Sequence, residues 1–291
     1  MAKPLRIGLP SGSLQEATLD LFRRAGYTIS RASRTYRPAI DDPNFEVRLL
    51  RAQEIAAYVQ DGFLDLGLTG SDWIQETRAK VQPVSTLRFS KATAQPARWV
   101  IAVPNRSPIR RPSQLRGKRI ATEAVGLVRQ YLSKRKIKAK VEFSWGATEV
   151  KVPELADAIA DITETGSSLL ANGLRILDTI LESYPQLIAN PSIWSNSADR
   201  VRIQNLAMLL EGALRARDLV GLKMNVPRRC LRSVSSTLSS LRDPTISPLA
   251  RDGWVAVETV MEEKTVRSII PRLKLLGAEG IIEYPLNKVV S

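Results

Sequence analysis

The densest concentration of groups able to hold an anion lies between Ala158 and Leu174. An apolar run, Ala158-Ile159-Ala160, leads into Asp161-Ile162-Thr163-Glu164-Thr165-Gly166-Ser167-Ser168 and then into Leu169-Leu170-Ala171-Asn172-Gly173-Leu174. A strand, a turn of small hydroxyl residues and a helix, in that order, gather several backbone N–H groups at a helix N-terminus, where a phosphate fits. The hydroxyls of Thr165, Ser167 and Ser168 add hydrogen bonds, and Gly166 lets the backbone come close. Asp161 and Glu164, at the strand end, can accept bonds from ribose hydroxyls or hold a magnesium ion through water. The same residues also make an ordinary helix cap and turn, so the loop taken alone leaves both readings open.

Much other chemistry is ruled out by what the chain lacks. Its 291 residues include no histidine, which excludes a Ser-His-Asp triad, a histidine general base and a histidine-bound metal. Cys230 is the single cysteine, so there is no internal disulfide framework and no cysteine-rich zinc site. A surplus of 43 Lys and Arg over 29 Asp and Glu gives a net charge of +14, which favours anionic partners. The run Lys134-Arg135-Lys136-Ile137-Lys138-Ala139-Lys140 holds no aromatic residue and reads as a solvated face rather than a nucleic-acid footprint. No stretch approaches the roughly 18 apolar residues of a membrane span, and Met1 to Arg6 lack the apolar core of a secretion signal. A soluble, cytoplasmic protein with no membrane or nucleic-acid partner is expected.

The elements that must position the loop follow from hydropathy patterning. Short apolar runs alternate with amphipathic stretches, the pattern of a parallel sheet covered by helices. Strands are expected at Leu5 to Leu9, Phe45 to Leu50 and Asp65 to Thr69. Ser13 is expected to cap a first helix that Gly26 ends, and a second helix holds Ile55, Ala56 and Val59. A second lobe starts with strand Arg98 to Val103, followed by the loop Pro104 to Pro112. It continues with strands Lys118 to Ala121, Val141 to Ser144 and Ala158 to Ile162, and with helices around Leu127 to Leu132 and through Leu155. Leu187 to Leu210 carries a short strand and a long helix that return to the first lobe. The tail reads as strand Leu219 to Val226, helix from Arg228, strand near Ile246, strand Trp254 to Val260, helix from Thr265 and strand Gly280 to Tyr284. That order is βαββαβ, a ferredoxin-like unit, with a bend or late start expected at Pro271.

Several blocks, in this order, resemble the ATP phosphoribosyltransferases of histidine biosynthesis over nearly the full length. They are Gly8-Leu9-Pro10-Ser11-Gly12-Ser13-Leu14, Asp61-Gly62-Phe63-Leu64-Asp65-Leu66-Gly67-Leu68-Thr69-Gly70, Lys118-Arg119-Ile120-Ala121-Thr122, Gly146-Ala147-Thr148-Glu149, and the segment from Leu155 through Thr165-Gly166 to Leu174. The resemblance implies an α/β fold of two periplasmic-binding-protein-like lobes plus a C-terminal ferredoxin-like domain. The corresponding ranges are 1–93 with 186–211 for one catalytic lobe, 94–185 for the other and 212–291 for a regulatory domain. It further implies that adenine N1 of ATP displaces pyrophosphate from phosphoribosyl pyrophosphate with Mg2+ as cofactor. Asp161, Glu164, Thr165, Gly166, Ser167 and Ser168 would hold the phosphoribosyl group. ATP would lie near Ser11, Gly12, Ser13, Arg51, Thr69, Gly70 and Asp72, residues that end strands of an open sheet, where ligands usually bind. Arg51 also reads as an exposed strand-end arginine, and Asp72 as a helix cap. Glu149 would orient substrate or a metal-bound water, or form a structural ion pair.

This chain departs from the family pattern in having Ser11 and Ser13 where many members carry Lys and Arg, and Ser168 where Thr is usual. The tail is similar to the family's regulatory domain at Asp243-Pro244-Thr245-Ile246-Ser247-Pro248-Leu249 and Leu275-Leu276-Gly277-Ala278. That likeness implies histidine as an inhibitor contacting Asp243, Thr245 and Ala278, and a homo-oligomer, either dimer or hexamer. Lys223 and Asn225 stand where an acidic partner for the effector's amino group is expected. Two rival readings share parts of this pattern. A solute-binding protein has the same two lobes but requires export, and an effector-sensing nucleic-acid binder requires a reading helix that neither end supplies.

Overall fold

Apolar strands alternating with amphipathic helices fold into three sheets in a computed structural model, which describes residues 3–30, 35–90, 95–238 and 243–290. There are two compact units, Met1–Arg23 with Tyr27–Ala207 and Arg24–Gly26 with Met208–Ser291. Among the described residues no helix is long and apolar enough to cross a membrane.

The first unit begins with β1 (Leu5–Ser11), α1 (Gln15–Ala25), β2 (Phe45–Arg51), α2 (Ala52–Gln60), β3 (Leu66–Gly70), α3 (Ser71–Thr77) and β4 (Gln82–Thr86). The chain then enters a second lobe with β5 (Ala97–Pro104), β6 (Arg119–Thr122), α4 (Val125–Lys134), β7 (Lys140–Phe143), β8 (Ala158–Thr163), α5 (Ser167–Ala171) and β9 (Leu174–Ser183). It returns with β10 (Pro185–Ala189), α6 (Pro191–Ser195) and α7 (Ser197–Arg215). One sheet has the order β2-β1-β3-β10-β4 and the other β7-β6-β8-β5-β9. In each, one strand runs against its neighbours: β10 is antiparallel to β3 and β4, and β5 to β8 and β9. The sheets are therefore mixed rather than purely parallel, because β5 and β10 each follow a crossing from the opposite lobe.

Two strands and one helix differ from the sequence expectation. Neither β4 nor β9 was anticipated. The ladder between β5 and β9 shifts register at Trp99/Val100 and at Ile101/Ala102, which breaks the period-two alternation that marks a strand. No α-helix runs through Leu155; a short 3-10 turn at Thr148–Lys151 takes its place. Pro153 follows at once and cannot supply the backbone N–H that a continuing helix needs there. Helix α1 starts at Gln15, whose N–H reaches the carbonyl of Gly12 at 3.1 Å, so Ser13 lies in the preceding turn.

The second unit contains β11 (Leu219–Pro227), α8 (Leu231–Ser235), β12 (Thr245–Pro248), β13 (Trp254–Glu262), α9 (Glu263–Leu275) and β14 (Glu279–Pro285), in the sheet order β12-β13-β11-β14. All its pairings are antiparallel, as the βαββαβ order requires. Alternate residues Val220, Leu222, Met224 and Val226 of β11 and Val255, Val257 and Met261 of β13 form its core, closed by Val266 and Leu273 of α9. Helix α9 starts at Glu263, before Thr265, and runs on through Pro271, so no late start occurs.

The two lobes of the first unit meet around a buried polar and aromatic junction. Trp73 on α3 packs edge-on against Trp99 on β5 with ring centres 5.7 Å apart, and Ala124 and Leu127 complete the cluster. Asp72, 2% exposed, accepts the Trp99 indole N–H at 2.7 Å on one oxygen and the Ser183 hydroxyl at 2.8 Å on the other. Ala124, which precedes α4, has no side chain to cap that helix. Glu76 of α3 does so from the other lobe, accepting the amides of Gly126 at 2.9 Å and Leu127 at 2.7 Å.

Removing Asp72 leaves a buried indole N–H without its acceptor. The Asp72→Ala variant is therefore expected to lose about 1–3 kcal/mol of stability, and Glu76→Ala about 0.5–2 kcal/mol as a lost helix cap. Urea unfolding of the whole chain measures both; unchanged midpoints would show that the junction is not a stabilising element.

Candidate functional site

Strand ends from both lobes open on one cleft of about 620 Å³. The first lobe contributes Ser11 from the end of β1 with Gly12 and Ser13, Arg51 from the end of β2, and Gly70 and Asp72 where β3 hands over to α3. Glu164, Thr165, Ser167 and Ser168, following β8, come from the second lobe. The arrangement follows from the topology: β1, β2 and β3 are parallel, as are β6, β7 and β8, so their carboxyl ends share an edge in each sheet.

The turn after β8 is built by its own hydroxyls. Gly166 adopts φ 81°, in the left-handed region open to glycine, and its N–H donates to the Thr163 hydroxyl at 2.8 Å. Thr165 and Ser167 hydroxyl oxygens lie 2.9 Å apart, and the Ser167 amide reaches Thr165 Oγ1 at 3.3 Å. Helix α5 begins at Ser167, so its first amides have no acceptor within the helix. Leu169, buried with Ile159 and Leu174, anchors that short helix, while Thr165, Ser167 and Ser168 remain exposed.

Asp161, Gly166, Glu149 and Thr69 do not line the cleft. Asp161 accepts the hydroxyl of Thr148 and, on its other oxygen, the Ile162 amide at 2.7 Å. Burial pushes its carboxyl above the usual range, the two hydrogen bonds oppose this, and the charge of Glu149 adds to it. The Ser168 hydroxyl donates to Glu149 at 2.8 Å, so the Thr148–Lys151 turn braces the hydroxyl loop. Thr69 is fully buried and donates its hydroxyl to the Ala52 carbonyl at 2.7 Å, fixing the start of α2. At Gly70 a Cβ would stand 2.0 Å from Asp72 Oδ1, so only glycine leaves that carboxylate in place.

Charge is distributed unevenly within this basic chain. Among the described residues lining the cleft, Arg51 is the one cation, against Asp72, Glu123 and Glu164. The Arg51 side chain is exposed and makes no hydrogen bond or ion pair among the described residues. No group of three or more His, Cys, Asp or Glu positioned to hold a metal ion occurs among the described residues.

Sequence reasoning missed Gln53, Trp73, Phe89, Ser90 and Glu123, all of which line the cleft. Ser90 donates its hydroxyl to Glu164 at 3.1 Å, and the Gln53 amide nitrogen reaches Glu123 Oε1 at 3.1 Å. Gln53 follows β2 by two residues and Glu123 follows β6 by one. Extending the strand-end rule to every parallel strand would have found them.

In the second unit Asp243 and Thr245 are exposed, Thr245 lying opposite Glu258 in the β12–β13 ladder. Ala278 is 1% exposed and belongs to the core; its N–H closes α9 on the Leu273 carbonyl at 3.0 Å. Its methyl group therefore faces the core rather than solvent.

The family profile described as ATP phosphoribosyltransferase matches residues 51–212, and that described as HisG, C-terminal domain, matches residues 216–288. The protein named ATP phosphoribosyltransferase in Solibacter usitatus (strain Ellin6076) is 55% identical over 286 residues, covering 98% of this chain and 99% of its own. Its namesake in Thermodesulfovibrio yellowstonii (strain ATCC 51303 / DSM 11347 / YP87) is 55% identical over 288 residues, covering 99% of each. Among solved structures, the ATP phosphoribosyl transferase (HisG:HisZ) complex from Thermotoga maritima matches with a TM-score of 0.60 at 24% identity, over 71% of this chain and 98% of that chain, a likeness of fold. The sequence likeness extends through both compact units rather than through one lobe, and the chain belongs to the ATP phosphoribosyltransferase family of histidine biosynthesis.

Proposed function

We propose that the cleft between the two lobes is where this chain joins ATP to phosphoribosyl pyrophosphate, yielding phosphoribosyl-ATP and pyrophosphate as the first step of histidine biosynthesis. The supporting observation is that the hydroxyl-rich turn after β8 and the strand ends of the first lobe open on a single cleft. Its volume of about 620 Å³ lies within the range of small-molecule sites. In this reading the 5'-phosphate rests on the amides and hydroxyls of Thr165 to Ser168 and Glu164 accepts the ribose hydroxyls, while Asp161, outside the cleft lining, braces the turn through Thr148 and the Ile162 amide. ATP lies along Ser11, Gly12, Ser13, Arg51 and Gly70. Thr69 and Asp72, whose side chains are engaged elsewhere, hold that wall rigid.

Adenine N1 is a lone-pair donor before it reacts, so no side chain has to deprotonate it. A chain without histidine suffers no handicap for such a step. The residues contribute alignment of the two substrates along one line and exclusion of water between the lobes. Among the described residues lining the cleft, one arginine against three carboxylic side chains does not neutralise two polyanions. Mg2+ bound by the substrate phosphates would supply charge stabilisation of the departing pyrophosphate. Glu164, which lines the cleft, is the carboxylate suited to meet it through water, and Glu149 acts through its bond from Ser168. In the same reading 1–93 with 186–211 and 94–185 are the catalytic lobes and 212–291 the regulatory domain. The protein is proposed to act in the cytoplasm as a homo-oligomer. Histidine would bind the tail through Asp243, Thr245 and the backbone at Ala278.

Purified protein given ATP, phosphoribosyl pyrophosphate and Mg2+ should release pyrophosphate and form the N1 adduct, and chelation of Mg2+ should stop it. Gly166→Ala, which forces a Cβ onto a positive φ at the phosphate turn, should lower kcat/KM for phosphoribosyl pyrophosphate at least about tenfold. Absence of adduct from the unaltered protein would refute the reading, and full activity in Gly166→Ala would remove the turn from the site.

Asp161→Asn separates stability from activity. A carboxyl whose folded value is raised favours folding when protonated, an advantage lost as pH climbs from the ordinary value of about 3.9 through the folded one. At neutral pH, above the ordinary carboxyl value, Asp161 thus opposes folding. The asparagine variant should be the more stable protein at pH 7, with the difference narrowing toward about pH 4, and should turn over more slowly. Thermal unfolding across that range checks the sign; lower stability of the variant at pH 7 would contradict it.

Free histidine should slow the reaction by the roughly 5- to 150-fold span of ordinary coupling energies. Thr245→Ala should relieve that inhibition while leaving the uninhibited rate intact. Rates equal with and without histidine would remove the effector role of the tail.

A further inference from the structure

Among the described residues, three carboxylates line the cleft, and they differ in what already holds them. Both oxygens of Asp72 are taken, by Trp99 and Ser183. Glu164 holds the Ser90 hydroxyl at 3.1 Å and has further interactions. Glu123 is bound through one oxygen, Oε1, by the Gln53 amide at 3.1 Å, and its Oε2 has no hydrogen-bond partner among the described residues. Gln53 lies in the first turn of α2 on one lobe. Glu123 follows β6 on the other, and Thr122 of that strand pairs with Ala160 of β8, the strand that leads into the phosphate turn.

Resting on the cleft as the active site, we infer that Glu123 recognises the adenine of ATP through its exocyclic amino group and stabilises the charge that develops there. A carboxylate with an open oxygen repels the phosphates of both substrates, which leaves hydroxyls, an amino group or a cation as its partners. The reaction creates such a cation. As the N1 lone pair forms the N1–C1' bond, the C1'–O bond breaks and its electron pair departs on pyrophosphate. The adenine then carries one positive charge shared between N1 and the N6 amino group. A carboxylate accepting an N6–H bond gains a charge-assisted interaction as that charge grows, so it holds the transition state more tightly than the substrate. The Gln53 bond to Oε1 leaves Oε2 as the oxygen available to the base. The same contact disfavours a base with a carbonyl at that position, so guanine and hypoxanthine nucleotides are poor partners.

Glu123→Gln tests this while keeping the side-chain volume and an acceptor for Gln53. Its kcat with ATP should fall about 10- to 100-fold with less than a threefold change in KM for ATP. Binding of 1-methyl-ATP, whose adenine is cationic near neutral pH, should weaken in the variant about tenfold more than binding of ATP. Equal weakening of both nucleotides would assign Glu123 to bridging the lobes and overturn the inference, as would recovery of the lost rate at high Mg2+, which would make it a metal contact. Unaltered protein that forms adduct while Glu123→Gln keeps its full rate sinks this inference alone. Unaltered protein that forms no adduct sinks the active-site reading and this inference with it.

Discussion

The geometry of the site depends on one buried carboxylate. Asp72 sits at the start of α3, yet its two oxygens are spent on Trp99 from the second lobe and Ser183 from the strand that ends it. A polar group removed from water is tolerated when hydrogen-bond partners of fixed direction meet it, and an indole N–H and a hydroxyl do so here. The consequence reaches the cleft directly. Gly70 is confined by that carboxylate, α3 is oriented by it, and Glu76, one turn further along α3, reaches the uncapped start of α4. Strand ends on opposite lobes thereby line one cleft.

On that frame the chemistry asks little of the side chains as acids or bases. An aromatic nitrogen with a lone pair attacks an activated sugar carbon, so preorganised donors and charges replace the proton transfers that histidine provides elsewhere. The hydroxyl turn after β8 is rigid because its members satisfy one another: Thr163 holds Gly166, Thr165 holds Ser167 and Glu149 holds Ser168. Among the described residues lining the cleft, Arg51 is the one cation within a chain of net charge +14.

Much of this was legible in the sequence, for reasons that can be named. Local patterning sufficed for β1, β2, β8, β11 and β13, whose apolar residues alternate or run unbroken between turn residues. The turn between β8 and α5 was legible as a turn because glycine and small hydroxyl residues between an apolar run and a helical stretch favour one. Strand β9 was not, since two register shifts against β5 scramble its alternation. The helix expected through Leu155 failed where Pro153 interrupts the donors it would need. Buried ends of interactions were also invisible. Nothing in the spacing of Asp72, Trp99 and Ser183, or of Gln53 and Glu123, announces that tertiary packing brings them together. Ala278, read as an effector contact, has its methyl group in the core of the second unit.

The central claim is that the turn from Thr165 to Ser168 cradles a sugar phosphate while the adenine lies between the first lobe and Glu123. A crystal structure of the chain with phosphoribosyl-ATP bound measures this most directly. The account predicts the 5'-phosphate within hydrogen-bond distance of the Ser167 and Ser168 amides, with the base between the strand ends of the first lobe and Glu123. Density for the phosphate at any other helix or loop, with the turn after β8 left empty, would contradict it.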